Sequence, residues 1–237
     1  MKQLFFVFML LPIVGIAQIR LPKIKLPKSI PTTVAGVDIA SGLKEALNEG
    51  VNKQVVKLTA VDGFYGNELV KILLPDELQK VDRTLRQFGM AALADKGLLL
   101  LNRAAEDAVK QASPIFVDAI KNIKFNDAKT ILMGNENAAT SYLQGATDKA
   151  LYAKFNPVIK NSLSTVGADA VWSNIISRYN AIPLMNKVNP DLTDYVTNQA
   201  LNGVFKMISV EEKNIRTDLK SRTSNLLQSV FGMQDKK

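Results

Sequence analysis

The sequence predicts an all-α fold, a single compact array of about nine or ten short to medium helices behind a flexible basic N-terminal arm that contains proline. Three observations predict it. Apolar residues recur every three or four positions from residue 38 almost to the C terminus, the spacing that gathers side chains on one helix face. Proline and glycine punctuate that pattern at seven points, as helix starts and stops do. Strand-like patterning is confined to residues 69–74, where a brief extended segment before Pro75 is as well supported as helix.

Ile39, Leu43, Leu47, Val51, Val55 and Leu58 lie on one face of a first helix ending near Thr59, which Gly42 and Gly50 weaken modestly. Leu78, Val81, Leu85 and Phe88 repeat the pattern behind Pro75, and Asp76 and Glu77 suit the positive start of that helix. Gly89 closes it. Residues 98–101, followed by Ala105, Ala108 and Ala112, mark a longer helix whose start is apolar all round and therefore central. Ser113-Pro114 predicts an N-cap and a helical proline ahead of Ile115, Phe116, Ala119 and Ile120. Asn126 is expected to cap a short helix over residues 127–133 that Gly134 ends. Ala138, Ala139, Tyr142, Ala146 and Ala150 form a small-residue stripe that predicts a close helix contact. Asn156-Pro157 predicts a restart, with Phe155, Val158, Ile159, Leu163 and Val166 on its apolar face and Gly167 at its end. Val171, Trp172, Ile175, Ile176 and Tyr179 line the next helix. After an irregular stretch containing Pro183, Asn189-Pro190 repeats the cap-plus-proline signal before Leu192, Val196, Ala200, Val204, Met207 and Ile208. Leu226, Leu227, Val230 and Phe231 make a final short helix.

Ahead of the helices the chain has an export pattern: Lys2, an apolar run over residues 4–16, and Gly15-Ile16-Ala17 before Gln18. That run falls well short of the roughly 20 residues a membrane-spanning helix needs, so residues 1–17 are expected to be a cleaved signal peptide. No cysteine follows to carry a lipid, and the protein is expected to be exported to the periplasm or outer envelope without N-terminal lipidation. Residues 18–36 form the basic arm, 37–233 the all-α domain and 234–237 a basic tail.

The arm carries Arg20, Lys23, Lys25 and Lys28 with no acidic residue, and repeats Leu-Pro-Lys at residues 21–23 and 26–28. Its prolines forbid a regular helix and favour extended segments. Removing Lys2 and these four cations takes the formal net charge from +8 to +3, so basicity belongs to a tether rather than to a groove. No nucleic-acid partner is expected. An anionic membrane surface or another envelope component is the partner such an arm suits.

The chain has no histidine and no cysteine. Imidazole bases, Ser-His-Asp relays, thiolate nucleophiles and zinc-thiolate sites are thereby excluded, as is stapling by disulfides. No cofactor, catalytic residue or metal site is expected, and Asn135-Glu136-Asn137 is too short for a calcium loop. Lys160 and Ser164, four apart, read as an exposed helix face rather than a Ser-Lys pair. The carboxylates fall in helical pairs, Glu45 with Glu49, Glu106 beside Asp107 and Glu211 beside Glu212, a pattern usual on solvated faces. Two pairs stand out because arginine is scarce, seven against 23 lysines. Arg103 precedes Glu106 by three residues and Glu212 precedes Arg216 by four, and arginine suits a buried or bidentate carboxylate. Both read first as ties between helices and second as linings of a polar pocket.

Several short motifs together resemble one family. They are Asp62-Gly63-Phe64, Leu74-Pro75, Leu101-Asn102-Arg103-Ala104-Ala105-Glu106, Asp127-Ala128 with Leu132 and Gly134, and Ala138-Ala139-Thr140. Asn189-Pro190-Asp191-Leu192 with Tyr195-Val196, and Glu211-Glu212 with Ile215-Arg216, complete the set. From about Val37 to Gly232 the chain is similar to the bacterial family called domain of unknown function 4197. The resemblance implies an exported helical protein of Gram-negative bacteria and carries over no cofactor or catalytic residue. It adds Asp62 and Asp127 to the candidate polar site of Arg103, Glu106, Glu212 and Arg216. Relatives with a lipoprotein cysteine after the signal belong to what it implies, and Gln18 stands there instead.

Three function classes follow. The first is a non-catalytic envelope protein that binds a partner or surface. The second is a periplasmic carrier of a lipid or other apolar ligand between helices, with Phe64, Tyr65, Phe116, Tyr142, Trp172 and Tyr179 as possible lining. The third is an enzyme with Glu106 or Glu212 as base.

Overall fold

The computed structural model describes residues 39–235 except 88, 90, 166, 182–186 and 188–190, all within one unit, Val34–Lys237. The signal pattern, the arm with Arg20, Lys23, Lys25 and Lys28, and Phe88, Val166, Pro183, Asn189, Pro190 and the last two lysines lie outside the described residues. Nine α-helices and one 3-10 turn are described, with no strand among them: α1 Ile39–Thr59, α2 Asp76–Gln87, α3 Ala91–Val109, α4 Ala112–Lys121, α5 Phe125–Leu132, α6 Ala138–Thr165, α7 Ala168–Asn180, α8 Thr193–Thr217, the turn Leu219–Ser221 and α9 Asn225–Phe231. Among the described residues no helix is long and apolar enough to cross a membrane.

The two longest helices, α6 and α8, pack against each other; α1, α3, α4, α5 and α7 pack on one or both of them, α2 packs on α3 and α7, and α9 on α1. α1 lies along α8 and also touches α3, α4, α5 and α9, while α3 bridges α6, α8 and α7. The apolar face expected of the first helix, Leu43, Leu47, Val51, Val55 and Leu58, is buried throughout. Phe116 of α4 meets Phe205 of α8 edge to face at 5.9 Å, the arrangement the ring quadrupoles favour. Phe64, Phe116 and Trp172 are core residues, whereas Tyr65 and Tyr142 are half-buried. Gly42 is needed for close approach, since a β-carbon there would stand 2.2 Å from Val230 of α9.

Five local expectations differ from the structure. α3 begins at Ala91, ahead of the half-buried run at residues 98–100, because Ala94 and Gly97 are buried too, Gly97 closely against Trp172, and Ala112 belongs to α4 rather than to α3. α4 begins at the buried Ala112, one residue before Ser113, and no side chain caps it. Burial of Ala112 sets the start, and Pro114 is tolerated because amides of a first turn have no intrahelical acceptor. α5 begins at Phe125 behind an extended Lys124, whose carbonyl accepts from Ala128 N, so Asn126 lies inside the helix. α6 runs unbroken through Pro157. Pro157 and Ala153, whose carbonyl loses its helical donor, are both exposed, so water can satisfy that carbonyl. Leu151, Phe155 and Ile159 on the other face are fully buried and hold the helix together. The alanine stripe is displaced as well, because Ala146 and Ala150 are exposed while Thr147 is buried. Thr147 tolerates burial because its hydroxyl donates to Leu143 O at 2.7 Å.

Residues 71–75 carry neither helix nor strand. The buried Asn102 of α3 holds them, accepting from Ile72 N at 2.8 Å and donating to Ile72 O and Leu98 O, each at 2.9 Å.

Candidate functional site

The candidate residues separate into two clusters. The first joins α3 to the turn that follows α1. Asp62 adopts a left-handed backbone (φ 64°), a conformation aspartate tolerates better than most residues, and this bends the chain so that Phe64 enters the core. Gly203 of α8 makes room for it, since a β-carbon there would stand 2.7 Å from the Phe64 ring. The amides of Phe64 and Tyr65 then donate to Glu106 Oε1 at 3.1 and 3.4 Å. Glu106 Oε2 takes Arg103 Nη1 at 2.6 Å, and Arg103 Nη2 reaches Asp62 Oδ1 at 2.8 Å. Glu106 is buried and Arg103 partly so, and the hydrogen bond to Glu106 raises the arginine's pKa against the opposing effect of burial.

This cluster borders a solvent-open groove of about 430 Å³ between α3 and the end of α6, with Asp107, Lys110 and Ser162 on its rim. Asp107 accepts from Lys110 Nζ at 2.7 Å and from Ser162 Oγ at 2.9 Å, and Lys110 first, then Ser162, hold its carboxyl below the usual range. Both groove carboxylates are thus already engaged by donors. A base needs a free lone pair facing its substrate, and Glu106 has three of its roughly four lone-pair sites committed to two amides and a guanidinium. A second open cleft of about 360 Å³ lies between α6, α7 and the start of α8, and an apolar gap of about 20 Å³ sits under Phe231. That gap is the size of a single water.

The second cluster is a double helix cap. Glu212 Oε1 accepts from Ala139 N at 2.9 Å, and Oε2 from Thr140 N and Thr140 Oγ1 at 2.8 and 2.7 Å. A carboxylate from α8 therefore sits on the positive N-terminus of α6. Arg216, one turn on, grips Glu212 Oε1 through Nε and Nη2 and donates to Leu132 O and Ile131 O, each at 2.9 Å, at the negative C-terminus of α5. Both side chains are about 95% buried, so charge and helix ends compensate each other away from water. Asp127 belongs to neither cluster. It lies half-buried on α5 and, after burial itself, is the second influence raising the Tyr142 phenol. No hydrogen bond or ion pair joins the two clusters among the described residues, and no group of three carboxylates there is placed to hold a metal ion.

Three ties were not foreseen. Glu211 takes Lys53 and Gln54 Nε2 of α1. Asn102 holds residues 71–75. Arg222, its side chain only 2% exposed, donates to Ile215 O and Arg216 O at the end of α8 and pairs with Asp235. A lone arginine just past a long helix is the signal that would have found the last of these. Lys160 and Ser164 are both exposed on α6.

No curated protein and no solved structure matches the chain. The family model described as "Protein of unknown function (DUF4197)" matches residues 33–232, a span that takes in both clusters and every helix described above. By that match the chain belongs to the DUF4197 family.

Proposed function

We propose that this protein is an exported, non-catalytic interaction module of the bacterial envelope, drawn to an anionic surface by its arm. The observation that carries the reading is the segregation of charge. Four cations and no acid stand in residues 18–36, while the remainder is nearly balanced. Each cation near a charged membrane contributes about 1 kcal/mol of attraction, so four acting together suffice for reversible association.

The body's polar groups support the same reading. Glu106 and Glu212, its most deeply placed acids of the candidate set, are engaged in holding a turn and the start of α6. The export pattern at residues 2–18 supports a place outside the cytoplasm with Gln18 as first mature residue, and the family resemblance supports a Gram-negative periplasm.

Two measurements test this. The intact mass of the protein from an envelope fraction should correspond to a chain starting at Gln18, and an uncleaved chain recovered from the cytoplasm would end the export reading. Co-sedimentation with phosphatidylglycerol-containing vesicles should weaken by at least about tenfold when Arg20, Lys23, Lys25 and Lys28 are replaced by glutamine. Equal binding of the two forms would remove the arm from the account.

A further inference from the structure

We propose that the folded body carries its own contact for an anionic bilayer, at the corner where α4 meets α5. The proposal rests on the surface-binding reading above and adds a second contact to it. Five of the described phenylalanines, Phe64, Phe116, Phe155, Phe205 and Phe231, are buried, but Phe125 is 57% exposed at the first position of α5. Phe125, Lys129 and the helix-ending Met133 follow one another at four-residue steps, so they share a face, and Met133 is exposed as well. Lys121 ends α4, and Lys124 stands immediately before Phe125. Lys44 of α1 joins them by donating to Lys121 O at 2.9 Å, which fixes its ammonium at the same corner.

Three lysines elsewhere on the body are held in ion pairs, Lys53 with Glu211, Lys110 with Asp107 and Lys213 with Glu136. Lys121, Lys124 and Lys129 are exposed and make no ion pair among the described residues. The acids closest in the chain are Glu45, half-buried beside Lys44, Asp118, exposed on α4, and Asp127, half-buried on α5, so four lysines stand against three carboxylates. An exposed aromatic with unpaired lysines on both sides of it in the chain, and a methionine on the same helix face, matches a bilayer interface. The ring and thioether enter the headgroup boundary while the ammonium groups remain with the phosphates. A soluble polyanion would use the lysines and leave Phe125 and Met133 in water.

The test uses the chain from Gln18 in four forms: unaltered, with the four arm cations changed to glutamine, with a corner alteration (Lys121→Gln, Lys124→Gln, Lys129→Gln and Phe125→Ser), and with both. All are titrated against vesicles of phosphatidylglycerol in phosphatidylcholine. The altered corner positions are exposed, and thermal melts confirm that the variants remain folded. The corner alteration should weaken binding by about tenfold or more whether or not the arm is charged. A separate Phe125→Trp chain should show emission moving to shorter wavelength on vesicles, against a constant background from the buried Trp172. Unchanged affinity in both corner-altered forms overturns the proposal. So does Phe125→Trp emission that stays fixed while the lysine changes weaken binding, which would assign the corner to a soluble polyanion. Loss on altering the corner with no loss on neutralising the arm upholds the corner and refutes the arm.

Discussion

Glu212 serves three amide and hydroxyl donors and one guanidinium at a buried junction of α5, α6 and α8. Replacing it by alanine leaves Arg216 charged, buried and facing two open amides, a change that typically costs about 3–5 kcal/mol. A urea melt of Glu212→Ala should show that loss, and a cost under about 1 kcal/mol would mean that water already reaches the junction. Glu106 differs because it borders an open groove and its partner Arg103 is partly exposed. Gly203→Ala should destabilise by about 1–3 kcal/mol, because the added carbon meets the Phe64 ring at 2.7 Å in a packed core. The pairings Arg103 with Glu106 and Glu212 with Arg216 were legible from helical spacing and from the scarcity of arginine. What each carboxylate holds was not, since Phe64 lies 42 positions from Glu106 and Ala139 lies 73 from Glu212. No local rule links residues so far apart.

Helices were legible where burial and period agreed, and were misread where a local signal competed with packing. The first helix spans the expected residues because its apolar face is continuous. At Pro157 the local signal pointed to a break, yet α6 continues because the ring projects into solvent and a buried row runs beneath it. Pro157→Ala restores the amide and removes the ring's clash with the preceding turn. It should stabilise the protein by about 1–3 kcal/mol, read as a higher midpoint in a thermal melt. A lower midpoint would mean that α6 needs the proline's bend. Ser113 and Asn126 show the same competition at helix starts. Each is a favoured cap residue, but the buried Ala112 and the carbonyl of Lys124 open the helices instead.

Across the whole molecule, acidic and basic groups divide between knitting the body and facing outward. Arg222 closes the end of α8 and pairs with Asp235 near the C terminus, holding that carboxyl below its ordinary value. A depressed carboxyl stabilises the fold fully above the unfolded-chain value of about 4 and loses that contribution as pH falls through its lowered value. The acid limb of stability against pH should therefore be shallower in Asp235→Asn than in the unaltered chain, with little difference at lower pH, where protonated Asp235 is as neutral as the asparagine. An identical acid limb would show that the pair is not held in solution. Net positive charge is concentrated in the sequence of residues 18–36, and the inference above adds the lysines around Phe125. The most direct test of the central claim, that the arm brings the protein to an anionic surface, is vesicle affinity measured across a range of salt concentrations, with the arm intact and with its four cations neutralised. The account predicts steep weakening with salt for the intact chain, and for the neutralised chain a lower affinity with a shallower slope. The same affinity and slope for both would contradict it.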